Sequence, residues 1–592
     1  MNILARAVLV SFLAGMCWFF AAFSLSGDQG RADESGTFDG PAELPRIHVK
    51  SSLSDTPAPG KIRQVSAGNN LQQALNAADC GDTLQLERGA AFTGKFVFPA
   101  KKCDDSHWII VRTGAPNSAL PPEGTRLTPC YSGVAALPGR PSFQCNSTDN
   151  VLAKLDYPAK SGSGPIAFAS GANHYRLMGL EVTRSGPGAS ISNLILLQQG
   201  AIADHLVFDR MWIHGTAQEE TTRGILLGGS TYVAVVDSFF SDFHCIAITG
   251  ACTDSQAVSG GSGDLPMGPY KIVNNFLEAA GENVIFGGGP ATVSPADIEI
   301  RRNHLFRPLN WKPDSTDFVG ARDGRAFIVK NNFELKNAQR VLFEGNILEN
   351  TWGGFSQVGF SILLTPKNQG NHCPACRVTD VTIRYNKIHH VGGGFQIANV
   401  RSDAGGTTTD GGRYSIHHNI LDDIESTELK ANGVFAQIFG KSPPLHDVMI
   451  DHNTGFAPNV LFTVGADAQG PKISNFIFTN NLVSAGARQI GSTGGGPANC
   501  AYGADKAAAS EIFASCFPGA KITHNAVVGG SGWPKQNLTP KNLEAVGFSG
   551  TRGDKITDYH FRPDSRAKNA ALDGKDLGAD VDAVEATTRG VR

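Results

Sequence analysis

Short runs of alternating apolar and polar residues, each ending in Asn or Asp, recur along most of the chain. Examples are Ile298-Glu-Ile-Arg-Arg-Asn303, Val341-Leu-Phe-Glu-Gly-Asn346 and Val381-Thr-Ile-Arg-Tyr-Asn386. Such alternation is typical of a strand with one buried face. Asn and Asp suit a sharp bend, because they tolerate a left-handed φ and bond neighbouring backbone groups. Each run therefore predicts a short strand followed by a turn.

The spacing of these runs predicts stacked coils. The Asn or Asp residues that end successive runs lie 28 to 44 positions apart, and the shortest of these spacings approximate one coil without a long loop. A second apolar run precedes each of them, as in Ser361-Ile-Leu-Leu, and a third follows, as in Ile347-Leu. Three short strands per coil predict an all-β, triangular parallel solenoid whose aligned Asn side chains form a hydrogen-bonded ladder. The residues that end the runs are Asp209, Asp237, Asn275, Asn303, Asn346, Asn386, Asn419, Asn453, Asn481 and Asn525.

This pattern resembles the pectate-lyase-like superfamily of right-handed parallel β-helices over roughly residues 61–535. The opening segment Asn70-Leu-Gln-Gln-Ala-Leu-Asn-Ala-Ala-Asp-Cys-Gly-Asp-Thr-Leu is similar to the start of those proteins. The resemblance implies a single-stranded right-handed parallel β-helix with an N-terminal capping helix and a groove that holds a sugar chain. The expected organisation is a signal peptide or membrane anchor (1–26), a flexible linker (27–60), the β-helix (61–535) and a C-terminal capping segment (536–592).

Length and charge narrow the class of protein. A chain of 592 residues is too long for one ordinary globular core, whereas a solenoid grows by adding repeats. A net charge of −3 gives no electrostatic footprint for nucleic acid. Arg6 and the apolar run 7–25 have the form of an export signal, with cleavage favoured over retention as an anchor. We expect a secreted or periplasmic monomer that contacts a membrane only through such an anchor.

The cysteines agree with export. Apart from Cys17, they form five sequence-adjacent pairs, and an even number in an exported chain suggests disulfides. We predict nearest-neighbour pairing, and a disulfide is favoured over a redox or zinc half-site in Cys373-Pro-Ala-Cys376. The predicted pairs are Cys80/Cys103, Cys130/Cys145, Cys245/Cys252, Cys373/Cys376 and Cys500/Cys516.

Residues 274–346 form the densest polar stretch and the candidate site. A lyase acting on a uronic acid needs a base for the C5 proton and a cation to neutralise the carboxylate. We expect Lys336, Arg302 or Lys312 to act as base or carboxylate clamp. The acids of the stretch are expected to serve as proton donors, orienting groups or metal ligands, with Ca²⁺ as the metal considered; they are Glu278, Glu282 and Glu334.

Two further expectations concern this stretch. Glu334 and Lys336 alternate on one strand, so they project from one face, as a buried ion pair or as catalytic groups. Aromatic rings match the apolar face of a pyranose. The aromatic residues near this stretch are therefore candidates for stacking on a sugar. The expected substrate-binding residues are Trp311, Trp352, Asn337, Arg340 and Tyr270.

The sequence carries no motif that names the reaction. The arginine motif of pectate lyases, the Gly-His-Gly sequence of polygalacturonase-type hydrolases and the Asp-Pro-His-Asp motif of alginate epimerases are all missing. A polysaccharide lyase that cleaves an acidic polysaccharide by β-elimination is the leading hypothesis. A non-catalytic polysaccharide- or surface-binding β-helix protein and a glycoside hydrolase are the alternatives.

Overall fold

The computed structural model describes residues 37–188, 190–197, 202–246, 252–354, 357–552 and 555–592. The predicted segment 1–26 and residues 27–36 lie outside the described residues. In the described part, most strands belong to three long parallel sheets. The chain visits sheet 1, sheet 2 and sheet 3 in turn in each coil and then returns to sheet 1 one step further along.

Sheet 1 has 14 strands: Ile62–Val65, Thr83–Leu86, Ile109–Thr113, Asn173–Met178, Ala203–Asp209, Ser230–Val236, Tyr270–Val273, Ala296–Arg301, Ala338–Glu344, Arg377–Arg384, Asp410–His417, His446–Asp451, Ser474–Thr479 and Lys521–Thr523. Sheet 2 has 13: Ala91–Thr93, Ala153–Tyr157, Leu180–Arg184, Trp212–His214, Phe239–Ser241, Phe276–Glu278, His304–Phe306, Ile347–Thr351, Lys387–Val391, Ile420–Ile424, Thr454–Gly455, Leu482–Ser484 and Ala526–Val528. Sheet 3 has 12: Phe96–Phe98, Gly162–Phe168, Ile191–Leu197, Arg223–Leu226, Gln256–Gly260, Glu282–Phe286, Phe333–Leu335, Phe360–Leu364, Gly393–Asn399, Val434–Gly440, Val460–Gly465 and Arg488–Ser492.

Helices and hairpins are few among the described residues. The α-helices are α1 (Leu71–Ala77), α2 (Ala509–Cys516) and α3 (Val581–Thr588). Three antiparallel hairpins join Phe38–Asp39 to Ala42–Glu43, Gly353–Gly354 to Gln357–Val358, and Phe548–Arg552 to Lys555–Phe561. No helix in the described ranges has the length and apolar character needed to cross a bilayer.

One continuous hydrophobic core fills the interior between the three sheets. It extends from Val65 to Val527 and is made of the inward-facing residues of successive strands. Leu71 and Leu75 of α1 belong to this core, so the helix packs where the opening motif predicts it. That it caps the solenoid stays a prediction.

The predicted asparagine ladder is confirmed for eight of its members. The Asn275 amide donates to Asn303 Oδ1 at 2.9 Å, and the same contact repeats from coil to coil. The column is Asn275, Asn303, Asn346, Asn386, Asn419, Asn453, Asn481 and Asn525, and Asn537 extends it. Each amide thus satisfies buried polar groups of the next coil, which a dry interior requires.

Asp209 and Asp237 do not belong to this ladder, which corrects the sequence prediction. Asp209 instead accepts from Arg176 at 2.6 Å, and Asp237 accepts from the Asn274 amide at 2.7 Å. Ser238 occupies the ladder position beside Asn275, because its N–H donates to Asn275 Oδ1. The two acids come before the ladder position in their coils. The repeat read from the sequence is therefore out of register at the N-terminal end of the ladder.

Residues 37–60 differ from the expected flexible linker. Asp39 accepts from Arg384 at 2.7 Å and pairs with His417 at 3.0 Å, and Val49 packs with Trp108. This segment lies on sheet 1 through ion pairs and scattered apolar contacts. Such contacts have no periodicity, which is why the local sequence pattern does not show them.

All five predicted disulfides are present. They join Cys80 to Cys103, Cys130 to Cys145, Cys245 to Cys252, Cys373 to Cys376, and Cys500 to Cys516. Cysteines close in sequence on a solenoid lie close in space, so local pairing follows from the fold.

Candidate active site

A groove lies on the outer face of sheet 3 and holds about 470 Å³. Arg223, Gln256 and Glu282 are register partners on three successive strands, so their side chains line up across the coils. Lys336 lies one coil further along, directly after the strand Phe333–Leu335, and lines the same groove.

Ion pairs lie directly beneath the surface of the groove. Glu282 is fully buried and accepts from the Gln256 amide at 2.9 Å, with Lys330 Nζ 3.6 Å from its other oxygen. Lys330 also pairs with Asp254. Glu334 is 2% exposed, and its Oε1 lies 3.1 Å from Lys336 Nζ. Three acids therefore lie among cations that keep the floor near neutrality. We call this site the charged groove: Arg223, Asp254, Gln256, Ser259 and Lys336 line it, and Glu282, Lys330 and Glu334 lie beneath them.

Glu282 has the proton affinity of a general acid or base. Burial raises its pKa to about 7, the nearby Asp254 carboxylate adds to the rise, and Lys330 and Lys336 oppose it. Burial alone would lower the pKa of Lys336, but Glu334 and Glu282 outweigh it and the pKa rises above its usual value. Lys336 is therefore a permanent cation suited to clamp a carboxylate, and Glu282 is the group suited to exchange a proton near neutral pH.

Two polar groups in the wall of the groove have unmet hydrogen-bonding capacity. Gln256 Oε1 and Ser259 Oγ are buried and have no hydrogen-bond partner. Buried polar atoms are almost always paired in folded proteins, and unpaired ones in a concave site suit a polar ligand.

The opposite wall passes close to Lys336 because it is glycine. Gly287 has φ +101°, and a Cβ there would lie 2.6 Å from the backbone nitrogen of Asn337. Any larger residue would push this wall away from Lys336. The run Gly287-Gly288-Gly289 thus sets the width of the charged groove.

Of the predicted catalytic residues, the structure brings together Glu282, Glu334 and Lys336. Glu278 lies on sheet 2, fully buried, where the Arg140 guanidinium donates to both of its oxygens. Because Glu278 and Glu282 belong to different sheets, they do not form the carboxylate pair considered for a glycosidase.

Two predicted cations also lie outside the groove. Arg302 donates to the backbone carbonyls of Thr587 and Arg589 near the C-terminus. Lys312 pairs with Asp314 in the loop after Phe306. Both are fixed by structural partners, which corrects their assignment as base or clamp.

The predicted substrate-binding residues are structural as well. The rings of Tyr270, Trp311 and Trp352 are at most 3% exposed, so they offer no face to a sugar. Tyr270 points into the core, Trp311 packs against His244, and Trp352 lies under the Arg307 guanidinium. The two polar members are equally engaged: Asn337 is buried and bonds to Gly261 and Val293 carbonyls, and Arg340 pairs with Asp297 on sheet 1.

Sequence reasoning missed Arg223, Asp254, Gln256 and Lys330. Three of them precede the dense polar stretch, and only the coil register brings them beside Glu282. Aligning the strands one and two coils earlier than Glu282 would have found Gln256 and Arg223 respectively.

The carboxylates of the groove do not fit the Ca²⁺ considered from the sequence. Calcium takes six to eight oxygen ligands, whereas Asp254 and Glu334 each already pair with a lysine ammonium. The positive charge that a calcium ion would supply is present in Lys330 and Lys336.

The three parallel sheets and the asparagine ladder define the class: the protein is a right-handed parallel β-helix protein. No model of a known protein family matches the chain, and no curated protein sequence matches it. Among solved structures, it is similar to a mannuronic acid specific family 6 polysaccharide lyase from the human gut microbiota. The identity is 12% over 79% of this chain and 87% of that chain, with a TM-score of 0.45.

Two other solved structures show a comparable likeness. Pectate lyase Pel9A is 12% identical over 89% of this chain and 97% of that chain, with a TM-score of 0.38. A family 136 lacto-N-biosidase from Eubacterium ramulus is 13% identical over 70% of this chain and 65% of that chain, with a TM-score of 0.39.

Proposed function

We propose that the chain is an exported polysaccharide lyase that cleaves an acidic polysaccharide by β-elimination in the charged groove. The observation that carries the proposal is the buried Glu282 carboxyl, with a pKa of about 7, beside the cations Lys330 and Lys336. The five disulfides support export, because disulfides persist mainly in oxidising compartments.

Each group has a role in this chemistry. Ionised Glu282 takes the C5 proton of a uronate, and the electron pair of that bond forms the C4–C5 double bond as the glycosidic oxygen leaves C4. Lys336 and Arg223 hold the uronate carboxylate and stabilise the negative charge that develops on it. The departing oxygen takes a proton from water or from a protonated group of the groove. Gln256 and Ser259 bond to sugar hydroxyls and hold the ring in place.

The test is an assay on a panel of acidic and neutral glycans that follows the ultraviolet absorbance of unsaturated products. We expect absorbance with one acidic glycan, lost in Glu282→Gln and kept in Glu278→Gln. Glu278 is the matched control because it is equally buried but bonds only to groups outside the groove. Failure of every acidic glycan to give unsaturated product would refute the lyase.

A glycoside hydrolase is the second candidate, favoured by one observation. A carboxyl with a raised pKa beside another acid is also the arrangement of a general acid in a glycosidase, and Asp254 is the neighbouring acid here. New reducing ends without ultraviolet absorbance would identify that chemistry. Saturable glycan binding without unsaturated products or new reducing ends would identify a non-catalytic polysaccharide-binding protein.

A further inference from the structure

Two histidines stack on sheet 1, away from the strands that carry the charged groove. The strands Asn173–Met178 and Ala203–Asp209 pair in register, which places His174 beside His205. Both have a positive φ, and their rings are parallel within 3° at a centroid distance of 4.5 Å. Asp105 lies over them in a loop that the Cys80–Cys103 disulfide tethers.

The nitrogens and the carboxylate of this cluster face one another. His174 Nε2 lies 3.2 Å from Asp105 Oδ1, and His205 Nε2 lies 4.0 Å from the same oxygen. All three atoms lie within 4.8 Å of one another.

Hydrogen bonds on the far side of each ring fix where its proton sits. The Asn173 amide donates to the Lys101 and Gly171 carbonyls, so its Oδ1 faces His174 Nδ1 as an acceptor at 2.9 Å. His174 therefore carries its proton on Nδ1 and has a lone pair on Nε2. His205 Nδ1 faces the Asp204 carboxylate at 3.2 Å, so His205 has the same tautomer.

This arrangement leaves the lone pair of His174 Nε2 facing the Asp105 carboxylate oxygen. Two acceptors at 3.2 Å repel each other unless a proton or a metal ion lies between them. A metal ion between them would satisfy both lone pairs.

We propose that His174, His205 and Asp105 bind one Zn²⁺ ion. Imidazole and carboxylate are the ligands that zinc prefers, and a ligating histidine normally donates its other N–H to a carboxylate or carbonyl-type oxygen, as both do here. Ligands of a tetrahedral zinc ion lie about 3.4 Å apart, close to the separation of His174 Nε2 and Asp105 Oδ1. Binding of one ion by both rings requires the parallel rings to tilt; the His205 ring stacks between His174 and Tyr232, and its side chain is 30% exposed. Water completes the coordination.

The experiment titrates the metal-free full chain with Zn²⁺ by calorimetry and records the absorption spectrum with Co²⁺ as a probe of coordination. We expect one site per chain, with Ca²⁺ and Mg²⁺ binding far more weakly. His205→Ala and Asp105→Asn are expected to weaken Zn²⁺ binding more than tenfold, and Asp204→Asn by about tenfold through the lost support of His205. Asp105 and His205 are partly or largely exposed, so these variants keep the fold, which circular dichroism checks.

His390→Ala is the matched control, because His390 also has a positive φ and pairs with an aspartate, Asp423, on sheet 2. It is expected to bind Zn²⁺ like the unmodified chain. Absence of stoichiometric Zn²⁺ binding, or binding that persists unchanged in His205→Ala and Asp105→Asn, would overturn the proposal. Neither result bears on the charged groove, whose activity is assayed separately.

Discussion

Glu334 and Lys336 form an ion pair at 3.1 Å on the outer face of sheet 3, with Leu335 between them in sequence. Glu334 also accepts from the Asn331 amide at 3.3 Å and is almost inaccessible to solvent. Lys336 keeps 16% of its side chain exposed, toward the groove. The pair thus joins a buried carboxylate to a cation that a substrate can reach.

Removing Lys336 should affect both stability and activity, and the two effects can be separated. Lys336→Ala leaves Glu334 as an unpaired buried charge, which typically costs on the order of 3–5 kcal/mol. Adding Glu334→Gln removes that charge, so the double variant should regain most of the stability but none of the activity. Urea unfolding and product absorbance measure the two effects. Activity restored in the double variant would show that Lys336 has only a structural role.

Glu282 should make stability depend on pH between its unfolded and folded pKa values. Its folded pKa is raised from 4.5 to about 7, so the folded chain binds the extra proton in that interval and the unfolded chain does not. Stability from this group is complete below pH 4.5 and is lost as pH rises through about 7, a change on the order of 3 kcal/mol.

Glu282→Gln should remove this dependence. The difference in the free energy of unfolding between the variant and the unmodified chain should therefore change in the variant's favour from pH 4.5 to pH 8. Urea unfolding at a series of pH values measures it. A constant difference would mean that Glu282 titrates normally, and it would then lose its role as the base.

The fold was predictable because its signals are local. An Asn after a short alternating run is visible within a few residues, and cysteines close in sequence pair with each other. The registers of Asp209 and Asp237 were not predictable, because an acid and an asparagine fit the same local pattern. The hydrogen bond from Ser238 to Asn275 shows that the ladder position falls one residue after Asp237.

The site was predictable only in part. Glu282, Glu334 and Lys336 belong to one polar stretch, but Arg223 and Asp254 come from earlier coils and meet them through stacking. Burial of Trp311 and Trp352 was not foreseeable either. Both were candidates for stacking on a sugar, yet they pack with Phe327 and Leu429 in a buried cluster.

Arg140 should be a stability residue without a catalytic role. Its guanidinium donates to Glu278 at 2.6 and 2.7 Å and to Asp242 at 2.6 Å, and all three side chains are nearly inaccessible to solvent. Arg140→Ala leaves two buried carboxylates together and should cost on the order of 3–5 kcal/mol at neutral pH. Activity per folded molecule should be unchanged. Thermal unfolding measures the stability, and the product assay measures the activity. Loss of activity in a folded variant would place the cluster of Arg140, Glu278 and Asp242 in the active site.

The asparagine ladder should contribute to stability in proportion to the buried bonds each member makes. Asn386 donates to the Phe343 carbonyl and to Asn419 Oδ1, and it accepts from the backbone and side-chain N–H groups of Asn346. Asn386→Ala leaves these buried partners unsatisfied, and each such group costs about 1–3 kcal/mol. We therefore expect a loss of at least about 3 kcal/mol, measured by urea unfolding. The control is Asn76→Ala on α1, where the side chain is exposed and bonds only to Gln72, and a change within about 0.5 kcal/mol is expected. Equal small effects at the two positions would mean that the ladder aligns the coils without stabilising them.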